Sequence, residues 1–236
     1  MNKKKIKLVW IGSGFVSQVA HLSSFYSIPN VEIVALSELR KDIALKSCQR
    51  FKIKKYYSDY KEMLKKEKYD GVVLIVRRYQ TASIAHYILN KKNNLFTEKP
   101  MAPNYEQAKL LVNSAKKNKC LYSTGLMRRH DDGIKFALKL IKKLRKNKSH
   151  GKFINYRYSC IAGGDYCNID GFFPSKKPVS TTKEWSSKPH WLDKKFERDY
   201  EKFLNYFIHN FNLTRYLFGN ILDTKNISLE KDHGFL

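Results

Sequence analysis

An apolar run from Ile6 to Ile11 passes without a break into Gly12-Ser13-Gly14-Phe15-Val16-Ser17, and a second apolar run, Val31 to Leu36, leads to the acid Glu38. A strand that must turn sharply into a helix and return as a second strand ending in an acid leaves few folds open. Gly12 permits the tight turn, and Gly14 lets a backbone come close to a diphosphate. Helix N–H groups then face its charge. Glu38 is placed to accept hydrogen bonds from a ribose diol. Ser17 stands where a third glycine usually allows close helix-to-strand packing, a departure that weakens the pattern without removing it, since serine is small.

The alternation continues. Helical spacing runs from Lys41 to Phe51, a short extended segment covers Lys54 to Tyr57, and a helix follows from Ser58 to Lys66 with Ser58 as its cap. Gly71 to Val76 reads as a strand buried on both faces. After it come a helix at Thr81 to Asn90, a strand at Asn94 to Thr97, a helix at Tyr105 to Asn118 and a strand at Leu121 to Gly125. Such repetition predicts an α/β fold with a doubly wound parallel sheet over residues 1–124, binding its ligand beyond the carboxyl ends of the strands.

Residues 125–236 have a different texture. A helix is expected at Asp132 to Lys146, a strand at Lys152 to Cys160, a loop-rich stretch to Asp193, an aromatic helix from Tyr200 to Phe218 closed by Gly219, and a last strand at Ile221 to Leu229. This half is expected to be an incomplete α+β domain with an open-faced sheet.

The chain has 236 residues, 42% of them hydrophobic and 14% aromatic, enough for real cores. No apolar stretch is long enough to span a bilayer, so no membrane association is expected. Lys3-Lys4-Lys5 before an apolar stretch imitates a signal peptide, but glycine and serine interrupt the run. Cysteines 48, 120, 160 and 167 lack metal-site spacing and read as reduced thiols of a cytoplasmic protein, with no metal expected. The net charge of +25 raises nucleic acid as a partner, yet the lysines are spread over nearly every segment. Weak, salt-sensitive adhesion to anions is expected in place of specific nucleic-acid binding.

Two clusters carry chemistry. Glu98-Lys99-Pro100 closes a predicted central strand, where a lysine can orient a hydroxyl and, with its pKa lowered by burial near a cationic ring, take up a proton. A surface lysine before a proline turn is the plainer alternative. In Asn205-x-x-x-His209-x-x-Asn212 the spacing puts three polar side chains on one helix stripe, satisfied either by a ligand or by internal hydrogen bonds.

Taken in order, Gly12-x-Gly14, the acid at 38, Arg77-Arg78, Glu98-Lys99-Pro100, Gly125-x-x-Arg128-Arg129 and Asn205-x-x-x-His209-x-x-Asn212 resemble the Gfo/Idh/MocA oxidoreductases over essentially the whole chain. The resemblance implies a Rossmann domain joined to an open-faced-sheet domain. It also implies NAD, with NADP kept open by Arg40, as hydride carrier to or from a secondary alcohol carbon of a sugar, cyclitol or nucleotide-sugar. Lys99 and His209 become the catalytic pair. Gly12, Ser13, Gly14, Phe15, Val16, Glu38, Arg77 and Glu98 become cofactor contacts, and Arg128, Arg129, Tyr166, Asn205 and Asn212 substrate contacts.

The chain also departs from that family. Asn205 replaces a common aspartate, and Arg77-Arg78-Tyr79-Gln80-Thr81 replaces a Pro-x-x-x-His segment. The family's second domain normally runs roughly a hundred residues further. An unfinished sheet edge invites pairing, so a homo-oligomer through that sheet is an expected partner. A family member that binds nucleotide without catalysis, whether a sensor, an interaction module or a truncated remnant, is the competing expectation.

Overall fold

The computed structural model describes residues 4–147, 150–157, 172–175, 179, 181 and 184–223, and the backbone of 228–229 and 234–235. The chain divides into two compact units, Met1–Gly125 with Gly163–His190, and Leu126–Ala162 with Trp191–Leu236.

The first unit is built on strands β1 (Ile6–Ile11), β2 (Val31–Ser37), β3 (Lys55–Tyr57), β4 (Gly71–Leu74), β5 (Leu95–Thr97) and β6 (Tyr122–Thr124). They form one sheet in the order β3-β2-β1-β4-β5-β6, and every pairing is parallel. This is the doubly wound arrangement expected from the alternation, and its strand order reverses between β1 and β4. The central strands carry the core because both their faces are covered. Val9, Trp10 and Ile11 of β1 and all of β4 are buried, each fully buried aliphatic side chain stabilising by about 1.5–3 kcal/mol.

The helices are α1 (residues 15–26), α2 (Lys41–Arg50), α3 (Tyr60–Lys66), α4 (Arg78–Asn90) and α5 (Tyr105–Lys117). Within α1, Ser17–Leu22 is a π-helical turn and Ser23–Tyr26 is α-helical. Three local expectations need correction. Asp59, not Ser58, caps α3, accepting from the Lys61 amide at 2.8 Å. Helix α4 starts at Arg78, three residues before Thr81, because Arg77 takes the extended cap conformation. Strand β4 stops at Leu74, two residues short of Val76.

In the second unit a 3-10 turn (Met127–His130) and helix α6 (Asp132–Asn147) precede a 3-10 turn at Lys194–Phe196 and helices α7 (Glu197–Tyr206) and α8 (Ile208–Phe218). The single helix expected from Tyr200 to Phe218 is thus two. The interruption at Phe207 is slight, since its φ of −83° and ψ of −15° stay right-handed helical. Residues 152–157 form no strand, and 158–160 lie outside the described residues. The strand expected at Ile221–Leu229 is reduced, among the described residues, to β7 (Ser228–Leu229) paired antiparallel with β8 (Gly234–Phe235). Alternating apolar residues nominate a strand, but only a neighbouring ladder makes one.

Candidate active site

The glycine turn sits where β1 and β4 part. The Gly12 amide donates to Ser37 O at 2.8 Å, and the Ile75 amide donates to Ile11 O at 2.9 Å. Gly12 has φ +91°, and a Cβ there would stand 2.2 Å from the Ile75 carbonyl oxygen, so only glycine fits. Gly14 differs: among the described residues, a Cβ built on it meets nothing within 4 Å. Neither strain nor packing requires glycine at 14, and the space left beside it suits an approaching diphosphate. The Gln18 amide donates to Gly14 O at 3.0 Å as the first bond of α1, so the amides ahead of it open onto this space.

Ser17 explains how the turn manages without a third glycine. Its hydroxyl donates to Gly12 O at 2.7 Å and accepts from the Trp10 indole at 2.8 Å. The indole also reaches Gly12 O at 3.0 Å. All of this is buried, so the serine rivets the turn to the core strand.

Glu38 is busier than a waiting ribose acceptor. Its carboxylate takes the Ser13 amide at 2.8 Å, the Arg40 amide at 3.1 Å, and the Arg40 guanidinium at 2.9 and 3.1 Å. Burial pushes its pKa up, but the Arg40 side chain and the two amides outweigh burial, and the net direction is below the ordinary carboxylate value. A ribose diol at Glu38 therefore has to share it with Arg40. Ser13 is further fixed by a 2.6 Å contact between its hydroxyl and that of Ser47.

Phe15 packs edge-on against Phe172 at 4.9 Å, while Val16 is exposed. Gln18 grips the same segment, accepting from the Phe173 amide at 2.9 Å and donating to Ser13 O at 2.8 Å. Nothing in the sequence pattern pointed to this contact, because it joins residues far apart in the chain. Arg77, exposed at the carboxyl end of β4, donates to the Tyr79 hydroxyl at 3.0 Å.

At the end of β5, Glu98 accepts the Lys99 amide at 2.6 Å on one oxygen and contacts His21 Nε2 at 3.1 Å on the other. His21 was not singled out from the sequence. Its one available signal was a histidine on the helix that follows the glycine turn.

In the second unit, Arg129 donates from Nε to Asn212 Oδ1 at 2.6 Å and lies 5.1 Å over the Tyr216 ring. Two of the expected substrate residues are thus brought together. His209 is buried on α8, whereas Asn205 lies on α7 and is half-buried, as is Arg128 on the 3-10 turn. Tyr166 lies outside the described residues. Among the described residues no cluster of histidine, cysteine or acids is arranged for a metal, and no helix is long and apolar enough to cross a membrane.

Strand order, glycine turn and the acid after β2 define a dinucleotide-binding fold of the Rossmann type. The family model described as "Oxidoreductase family, NAD-binding Rossmann fold" matches residues 6–126, and the chain belongs to this Gfo/Idh/MocA family. It is similar to myo-inositol 2-dehydrogenase of Thermotoga maritima, 21% identical over 209 residues that cover 89% of this chain and 54% of the relative. It is also similar to an inositol 2-dehydrogenase/D-chiro-inositol 3-dehydrogenase of Lacticaseibacillus casei, 29% identical over 137 residues covering 57% of this chain and 39% of that one. The chain thus spans about half the length, or less, of these curated relatives.

Among solved structures, a probable dehydrogenase from Thermotoga maritima superposes with a TM-score of 0.60 at 19% identity, covering 91% of this chain and 55% of that one. The scyllo-inositol dehydrogenase of Lactobacillus casei, solved with NAD(H) and scyllo-inositol, gives a TM-score of 0.57 at 19% identity over 60% of this chain and 42% of that one. At such identities the likeness is one of fold.

Proposed function

We propose that this protein is an NAD(P)-dependent oxidoreductase that moves a hydride between the nicotinamide and a secondary alcohol carbon of a sugar, cyclitol or nucleotide-sugar. The observation that carries the reading is the contrast between two glycines: Gly12 is dictated by the turn, whereas nothing among the described residues dictates Gly14, which leaves open space at the start of α1. The bound nicotinamide supplies the two-electron acceptor or donor. The chain's own residues do the rest. Backbone at Gly14 and the amides of Phe15 and Val16 take the diphosphate, and Glu38 with Arg40 takes the adenosine ribose. The Arg40 guanidinium is the group that admits a 2′-phosphate and with it NADP.

Lys99 holds the reacting hydroxyl and, in its amine form, accepts the proton that leaves oxygen as the carbon loses its hydride. His209 is the second proton-handling group. Arg129, steered by Asn212, offers its remaining guanidinium donors to substrate oxygens, and Arg128 and Asn205 serve the same substrate. The polyol relatives support this substrate class.

The reading is tested by titrating the whole chain with NADH and assaying it with NAD and a panel of inositols and nucleotide-sugars. Binding in about the tens-of-micromolar range, near −6 kcal/mol, is expected. Lys99→Ala should abolish turnover while sparing binding. Absence of any nucleotide binding at millimolar cofactor rejects the proposal. Binding with no turnover of any polyol leaves the competing, non-catalytic reading in its place.

A further inference from the structure

The contact between His21 and Glu98 joins helix α1 to the Glu98-Lys99-Pro100 turn, and neither motif alone requires it. Four features make it a built arrangement. His21 lies inside the π-helical turn Ser17–Leu22. A wider turn rotates later side chains away from where 3.6 residues per turn would set them, and such turns recur at functional sites. Its ring is seated edge-on against Phe96 at 5.7 Å, and Phe96 is itself backed by Phe25 at 5.6 Å, which fixes the imidazole's plane. Its Nε2 stands 3.1 Å from Glu98 Oε1. Because a carboxylate only accepts, Nε2 carries the hydrogen on that side. Finally, Gly125 closes in behind: a Cβ there would stand 3.3 Å from Glu98 Oε1 and 3.4 Å from the Phe96 ring, so the absent side chain leaves room for the carboxylate.

The other oxygen, Oε2, accepts the Lys99 amide at 2.6 Å. The carboxylate is therefore gripped at one end by an imidazole on α1 and at the other by the backbone of Lys99. With side chains 15% and 22% exposed, both partners are sheltered enough for the hydrogen bond to count, yet neither sits in the apolar core.

We propose that His21 is a positioning residue: it holds the Glu98 carboxylate, and through it the Lys99 peptide, so that the lysine side chain leaves the strand end from a fixed root. The catalytic consequence rests on the role given to Lys99 above, whereas the mechanical link does not.

The test compares the full-length protein with His21→Phe, which keeps an aromatic against Phe96 and Phe25 but removes the donor, and with His21→Gln, which restores an N–H toward Glu98. The first measurement is residue-resolved hydrogen exchange. The Lys99 amide should lose protection roughly tenfold in His21→Phe while the amides of Gly71–Leu74 keep theirs, and His21→Gln should stay within about twofold of the parent. The second is kinetic, with NAD and myo- or scyllo-inositol. In His21→Phe kcat should fall about tenfold with NADH affinity unchanged, and His21→Gln should recover most of it.

Unaltered Lys99 protection in His21→Phe overturns the proposal. So does lost protection with kcat intact, or an equal collapse of core protection and NADH affinity, which would mark a packing role alone. If the parent protein neither binds NADH nor turns over a polyol, the oxidoreductase reading fails, and the exchange measurement by itself decides whether His21 holds Lys99.

Discussion

Replacing Gly12 and Gly14 separately by alanine should split stability from nucleotide binding, although the two residues are almost adjacent. At Gly12 the new methyl meets the main-chain carbonyl of Ile75 at 2.2 Å, and φ is +91°. Holding alanine at a positive φ costs roughly 1–2 kcal/mol, and pushing back a backbone atom of the central sheet adds about 1–3 kcal/mol. A loss of roughly 2–5 kcal/mol should lower Tm by about 4–20 °C, taking 2–4 °C per kcal/mol for a protein of this size. At Gly14 the methyl meets nothing among the described residues and φ is not in the left-handed range, so Tm should stay within about 2 °C of the parent. That same methyl occupies the approach of a diphosphate, and NADH affinity should fall at least tenfold, about 1.4 kcal/mol. Circular dichroism melts and NADH fluorescence titrations read the two effects independently. The reasoning is refuted if Gly14→Ala melts as low as Gly12→Ala, or if it melts normally and binds NADH like the parent.

Other perturbations follow from the same geometry. Ser17→Ala removes the hydroxyl between Trp10 and Gly12 O but leaves the indole its second acceptor, so chemical denaturation should show a loss of about 1 kcal/mol. Ser17→Gly, although it restores the more usual residue of the motif, should lose roughly a further 0.5–1 kcal/mol in the helix. Because the folded-state pKa of Glu38 lies below the ordinary 4.5, its stabilisation is fully present above that value and disappears as pH falls through the lowered pKa. Glu38→Gln should therefore flatten the acid limb of a stability-versus-pH profile, and an unchanged limb would refute the assignment. Burial pushes the Cys48 thiol up to about 11, so peptide mapping after iodoacetamide at neutral pH should find Cys48 unmodified in the folded protein and alkylated once it is unfolded. Rapid native labelling would contradict its shelter.

Much of the first unit was legible because its elements are local and strongly patterned. An apolar run followed by Gly12 and Gly14 is enough to announce β1 and the turn, and β1 came out over Ile6–Ile11 as expected. Boundaries failed where two side chains offered equivalent chemistry, as with Ser58 and Asp59, or where the first turn of a helix is polar and lacks the apolar period, as at Arg78–Gln80. The link between His21 and Glu98 was invisible because it depends on a π-helical turn and on a contact across 77 positions. The bidentate hold of Arg40 on Glu38 was equally hidden, since two residues each with an expected role turn out to engage one another. In the second unit the strand expected at Lys152 to Cys160 forms no ladder over 152–157, the part within the described residues, whereas Arg129 and Asn212 were each nominated and are found in contact.

The most direct test of nucleotide recognition at the glycine turn is a backbone amide spectrum of the labelled full-length protein titrated with NADH. The largest shifts should fall on Ser13, Gly14, Phe15 and Val16, with Glu38 and Lys99 following. A lysine-rich cavity of about 670 Å³, lined by Lys5, Lys7, Lys52, Lys54 and Lys68, lies by the opposite, amino ends of β1 and β2. Shifts gathered there, with the glycine turn silent, would show that charge alone attracts the nucleotide and would contradict the account.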